Sequence, residues 1–348
     1  MERAGKLLLI SFVVLAATLF AVATAKILLV LFAGVLFAIV LRAASVWLAH
    51  KVRLPNGVCL ALLVVVLLGG GVAFVLRFLP EVTKEVQWLK QHLPGMLDAV
   101  RAHWLGKVFM EAPGPDGKAP AAIDPETAMT TAWSALGGSI ELLGSFVVVF
   151  FVGLYGAAQP QEYTRAVLAL TPASSRERMR AALEAVQHNL SRWLLGRLVA
   201  MVFVAISTGI AFAVLHLPMA MTLGVLAGAL AFIEYAGAVA SAIPPLFFAL
   251  AQSTTTALWV LIVYTALHVI EGYVLTPLLS RVAVRLPPAF TLASQVLLGV
   301  LLGPLGLTFS TPLLVAAVSG GRAWKESQRR EQGALVSSSD GRLERTAA

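Results

Sequence analysis

The sequence predicts an all-α, polytopic α-helical integral membrane protein of about eight spans with a re-entrant C-terminal hairpin. Three observations lead there. Hydrophobic residues fill 59% of the 348 positions and charged residues only 13%, against about a quarter charged in an average soluble domain. A soluble chain of this length would still need polar residues to cover its surface, and over long runs there are none. Alternation of apolar with polar residues is also absent, which argues against a β-barrel.

A helix rising ~1.5 Å per residue needs roughly 20 apolar residues to cross a ~30 Å hydrocarbon core. Apolar stretches at 7–24, 27–41, 58–79, 140–158, 198–215, 219–233, 238–251, 257–279 and 290–318 meet or approach that length. The last is long enough to fold back on itself. At the N-terminus, "AVATA" at 21–25 has the small residues of a leader-cleavage site. Apolar character resumes at once after Lys26, so a tight helical hairpin with Lys26 at its tip is the simpler expectation.

These stretches divide the chain into three N-terminal spans, a hairpin plus a third helix, over 1–79 and an external amphipathic segment with a Pro/Gly-rich loop over 80–138. A fourth span follows at 139–158, a cytoplasmic amphipathic helix at 159–197, irregular spans forming a transport core at 198–320, and a disordered basic tail at 321–348. Orientation follows lysine and arginine. Arg42, Lys51 and Arg53 lie between the second and third spans, six arginines follow the fourth, and Arg322, Lys325, Arg329 and Arg330 crowd the tail. This places both termini in the cytoplasm and makes the number of crossings even. Residues 80–138 mix lysines and arginines with acids, as an external segment does, and Pro94-Gly95 interrupts their helical stripe.

The net charge of +8 does not point to nucleic acid, because the cations flank spans and form no domain of their own. Anionic membrane lipid is the partner they suit. Cys59 stands alone, so neither an intrachain disulfide nor a cysteine metal cluster is possible. No GxSxG, HExxH or P-loop pattern occurs, so no catalytic residue, metal or cofactor is expected, and transport would be secondary or channel-like.

Within 172–197, Ser174 and Glu177 form a capping box. Leu183, Val186, Leu190 and Leu194 share one face, opposite Arg180, Glu184, Gln187 and Ser191. Further on, "LGVLAGAL" at 223–230 resembles "LGVLLGPL" at 298–305. Each holds a GxxxG pair, Gly224 with Gly228 and Gly299 with Gly303, a spacing that lets helices approach closely. Pro244, Pro277, Pro304 and Pro312, with Gly237 and Gly303, mark expected breaks or hinges.

A charge at the bilayer centre costs at least ~2.5–3.5 kcal/mol, so it persists only if paired, hydrated or used. Glu271 lies ten residues before Arg281, roughly 15 Å deep in a continuous helix, with His268 on the same face. A carboxyl group held out of water can bind and release a proton near neutral pH. The pair therefore suits a proton or cation site, or a structural hydrogen-bonded pair. Glu234, at a break between two short apolar segments, is the second candidate for transport or coupling, and Gln295 is counted with them.

"FIEYAGAVASAIPPLFFAL" at 232–250 and "HVIEGYVLTPLLSRVAVRLPPAFTLASQVLLGVLLGPLGLTFSTPLL" at 268–314 resemble the autoinducer-2 exporter (AI-2E) family, also called the PerM-like family of bacterial membrane proteins. The likeness is most specific at Glu271-Gly272, Leu275, Pro277, Pro288, Gly303, Gly306 and Pro312, and extends to the layout of the whole chain. It implies a multi-pass inner-membrane transporter assembled as a homo-oligomer. Its members are associated with export of the quorum-sensing signal autoinducer-2 and, in others, with sodium/proton antiport. Where the family usually has F-I-P-Y-x-G-P, Glu234 replaces the first proline and Ala238 the second, and His268 stands where glutamine is common. An added acid and an added histidine suit proton coupling. A non-transporting scaffold or regulator, acting through the cytoplasmic helix, is the reading from a different class.

Overall fold

The computed structural model describes residues 2–102, 139–275, 278 and 286–346. Its helices are α1 (Glu2–Val52), α2 (Asn56–Ala102), α3 (Ser139–Ala158), α4 (Pro160–Leu170), α5 (Arg176–Val214), α6 (Ala220–Leu230), α7 (Ala236–Gln252), α8 (Thr254–Ile270) and α9 (Pro288–Thr346). A single 3-10 turn precedes α5 and a π-helical turn, Glu271–Leu275, extends α8. Among the described residues, five helices are long and apolar enough to cross a membrane, with three shorter apolar helices beside them. The fold is therefore the all-α, polytopic class that composition predicts. Two compact units result: Met1–Ala61 with Val147–Leu195 and Val282–Ala348, and Leu62–Phe146 with Gly196–Arg281.

In the first unit α1 and α3 run parallel, since Gly34 faces Val152, Gly153 faces Phe37 and Gly156 faces Ala38 in rising order along both helices. The missing side chains let the backbones approach closely. Phe32 of α1 meets Phe309 of α9 edge-on at 6.4 Å. The start of α5 packs antiparallel to α9: Arg178 pairs with Glu331 at 2.9 Å and lies over the Trp324 ring, while Gly320 abuts Val186.

The second unit is built around Phe212 of α5, Leu223 of α6, Phe248 of α7, and Val260 and Tyr264 of α8. Along α5, Ala200, Val204, Thr208 and Phe212 are buried at four-residue intervals while Val202, Ile206, Ile210 and Val214 are exposed. The helix is apolar on both faces. A segment surrounded by hydrocarbon on one side and protein on the other needs that pattern. Gly224 and Gly228 of α6 pack on Gly209 and Ala205 of α5, as the GxxxG spacing predicts.

α6 has 11 residues, about 16 Å, too short to cross a ~30 Å core. With α7 it makes a helical hairpin rather than a pair of full spans. The expected second hairpin is also present, because α9 reverses at Gly303, whose φ of 68° and ψ of −150° are non-helical. Gly299 there meets the Leu307 side chain and Gly306 the Leu298 carbonyl. Residues eight apart would stand about 12 Å apart in a straight helix.

Other expectations need correction. No turn forms at Lys26: α1 is one helix from Glu2 to Val52. Its "AVATAKILLV" has no glycine, proline or asparagine to reverse the chain, and one lysine does not break a run of good helix formers. Pro94-Gly95 does not end α2, which continues to Ala102. The amphipathic segment is not separate from the next span, for α5 runs unbroken to Val214. Its buried face is as predicted, with Leu190 at 0% and Leu194 at 3% exposure and Glu184 exposed. The tail is not disordered up to Thr346 but continues α9, whose Arg, Glu, Gln and Ala favour helix. Gly299 and Gly303 do not form a helix-packing pair, since Gly303 makes the reversal and has open space around it. The loop at 112–125 and Pro277 lie outside the described residues.

Candidate transport site

α8 starts on a well-made cap, the extended Ser253, whose Oγ accepts from the Thr256 amide at 3.0 Å. From there helical periodicity brings Tyr264, His268 and Glu271 to one face, at i, i+4 and i+7. Glu271 closes α8 and opens the π-helical turn. π turns are rare and recur at functional sites.

Glu271 is buried, with only 9% of its surface accessible. Its Oε1 accepts from Nη1 of Arg197 at 3.2 Å, and the Arg197 side chain is itself only 10% exposed. Nε of the same guanidinium donates to the Phe232 carbonyl at 3.3 Å. One side chain from α5 thus ties the end of α8 to the tip between α6 and α7. Removing either partner would leave a buried charge unmatched, which is why the pair must be kept together.

That tip is strained. Tyr235 has φ 55° and ψ −63°, and the Ala236 amide donates to the Glu234 carbonyl at 2.6 Å. These values describe a γ-turn of the rare, strained form. The next residues close tightly, as a Cβ on Gly237 would run into the Leu230 carbonyl. Beyond it Tyr264 reaches from α8 to α7: its Oη lies 2.6 Å from Ser241 Oγ and donates to the Ala238 carbonyl at 2.8 Å. This bracing lies in the turn just ahead of Pro244 and Pro245, which α7 carries within it.

The sequence candidates fall as follows. Glu271 is at the centre. His268 shares its face, but its contacts are with Tyr264, through Nδ1 to the carbonyl at 3.1 Å and ring on ring at 4.2 Å. Glu234 lies in the tip that Arg197 holds. Gln295 is buried, at 2% exposure, but in the other compact unit, on the first arm of α9. Pro304 starts the returning arm of α9, and Pro312 is buried within it. Among the described residues no group of three His, Cys, Asp or Glu side chains is placed to hold a metal ion.

Sequence reasoning missed Arg197, reading it as one of six cations on a cytoplasmic flank. A signal was available: it is the last cation before an apolar run, immediately preceding Leu198. Tyr264 was missed too, although its spacing to His268 and Glu271 is helical.

Five helices among the described residues, long and apolar enough to cross a membrane, with shorter apolar helices beside them, define a polytopic helical membrane protein, and the two hairpins that reverse direction are of the kind transporters use. The sequence profile of the AI-2E family transporters matches residues 8–325. The chain belongs to that family, and it is a membrane transporter. It is also 26% identical over 276 residues, 76% of this chain and 77% of the other, to a Bacillus subtilis (strain 168) protein named "Putative transport protein YrrI".

Proposed function

We propose that this transporter exports a small polar signal or metabolite, of the autoinducer-2 kind, across a bacterial inner membrane and couples export to protons at Glu271. The observation that carries this reading is the buried Arg197–Glu271 pair at 3.2 Å, with the same Arg197 holding the Phe232 carbonyl. A proton or cation arriving at Glu271 competes with Arg197. Released, the guanidinium lets go of the α6–α7 tip, so occupancy of the acid is converted into movement of a hairpin. His268, Glu234 and Gln295 are proposed as accessory polar groups, with Gly237, Pro244, Gly303, Pro304 and Pro312 as the places where helices bend.

Sodium/proton antiport by the same site is the alternative within the family, and one experiment separates them. The purified protein is reconstituted in liposomes under imposed sodium and proton gradients, with autoinducer-2 flux followed in parallel. Glu271→Gln keeps an amide oxygen for Arg197 to bond while losing the charge, so it is expected to abolish gradient-driven flux while the protein still assembles; normal flux by that variant would sink the coupling. Sodium-dependent proton movement without metabolite flux would favour antiport. The scaffold reading has less support, because the apolar face of the amphipathic segment is already covered at Leu190 and Leu194. Homo-oligomer assembly belongs to the same proposal, supported by α2, where Leu62, Val65, Val66, Phe74 and Leu76 are all exposed. The basic flanks support placing the C-terminus in the cytoplasm.

A further inference from the structure

In the first compact unit, the corner where α3 turns into α4 holds two cavities whose walls share Arg42 and Pro160. The first, of about 420 Å3, is apolar, lined chiefly by Val35, Ala38, Ile39, Val152, Leu183 and Val186. The second, of about 460 Å3, is formed by Arg42 and the polar corner at 158–162. Each falls in the range of roughly 300–1,000 Å3 that small-molecule sites occupy.

The position is as informative as the size. Because α1 and α3 run parallel, Arg42, the charge that interrupts the apolar run of α1, stands level with Gln159, where the apolar run of α3 ends. That is where a bilayer's hydrocarbon meets its headgroups. The Arg42 side chain is half-buried and has no carboxylate or carbonyl partner among the described residues. Glu162, in the wall of the polar cavity, is engaged by Arg165 at 2.9 Å. At the rim of the apolar cavity Tyr163 is 50% and Val167 39% exposed, so a chain can enter from the side.

A half-buried cation at headgroup depth, with no carboxylate partner among the described residues, is placed to meet a lipid phosphate. A soluble anion would supply the counter-charge but leave the apolar cavity bare, and a neutral lipid would fill the cavity but leave Arg42 unmatched. Basic pockets between membrane helices take lipid headgroups on these grounds. We propose that this corner binds an anionic phospholipid, with its phosphate on Arg42 in the polar cavity and an acyl chain in the apolar one. The site does not depend on the coupling role of Glu271.

The test uses the full chain purified in neutral detergent, titrated with phosphatidylglycerol or phosphatidylcholine and read by native mass spectrometry. Phosphatidylglycerol is expected to be retained in preference to phosphatidylcholine. Arg42→Gln should weaken its retention about tenfold, the equivalent of losing one charge-assisted hydrogen bond. Val167→Trp, which fills the apolar cavity from its rim and keeps Arg42, should weaken it as well, so the result does not hang on one variant's fold. Equal retention of the two lipids, or full retention by either variant, would overturn the proposal. Glycerol phosphate displacing the intact lipid at equal concentration would also overturn it, by marking a site for a soluble anion.

Discussion

The two helical hairpins resemble each other in sequence and reverse direction by opposite means. Aligned on their glycines, "LGVLAGAL" and "LGVLLGPL" put Gly228 opposite Gly303. Yet Gly228 lies inside α6, where a Cβ would stand 2.5 Å from that of Ala205, and Gly303 is itself the reversal, at φ 68°. The α6–α7 tip falls several residues later and is held from outside, by Arg197 on the Phe232 carbonyl and Glu271 on Arg197. The α9 tip is made by its own residues: Gly303 in a conformation nearly closed to other residues, Pro304 at the first position of the returning arm, and Gly306 against the Leu298 carbonyl. A tip held by an ion pair can change shape when the pair is disturbed. One built from backbone bends only at its own residues, with no charge for an ion or proton to disturb, so on the proposed function the response to a coupling ion belongs to α6–α7.

The strongest way to break this contrast is Arg197→Ala. It leaves Glu271 buried without its cation, which costs about 3–5 kcal/mol for a pair of this kind. Thermal unfolding of the solubilised protein should fall accordingly, and an unchanged midpoint would show that the pair does not hold the tip. Replacing both partners, Arg197→Met with Glu271→Met, should restore most of the loss, because apolar substitutes carry no desolvation penalty. The α9 tip should be damaged less, and without involvement of any charge. Gly303→Ala forces a side chain into a strained backbone and Gly306→Ala drives one into a carbonyl, each costing about 1–3 kcal/mol. If either matched the loss from Arg197→Ala, the ion pair would not be the dominant restraint.

How much of this was legible depends on what each feature needs. Helix class and the buried face of α5 follow from composition and spacing, since Leu190 and Leu194 are buried wherever that helix finds a neighbour. The candidacy of Glu271 was legible because a carboxylate in an apolar run has few explanations. Its partner was not, for Arg197 is 74 residues away and reaches Glu271 only after α5 and α8 have packed. The long α1 was misread because a lone lysine resembles a hairpin tip when helix propensity is not weighed against it. The different use of the two GxxxG pairs was hidden as well. The same glycine spacing serves close helix packing in one hairpin and a backbone reversal in the other, and local sequence does not distinguish them.

The smallest effect expected is at Tyr235, and it carries the most information about what the first tip is for. A bulky residue at φ 55° and ψ −63° is strained, by roughly 1–3 kcal/mol. Tyr235 is 46% exposed, so its side chain offers limited packing in return. Tyr235→Gly removes the strain and gives back about 0.4–1 kcal/mol through the freer unfolded chain. With the packing of the covered half of the ring lost as well, the net result should be a gain in stability of about 1 kcal/mol or less, a small rise in the unfolding midpoint. Gradient-driven flux should move the other way. If the strain is what moves the tip once Arg197 lets go, a relaxed tip stays where it is, and transport slows in a protein that is slightly more stable. A raised midpoint with unchanged flux would mean that the strain is incidental and that the difference between the two hairpins reduces to the ion pair alone.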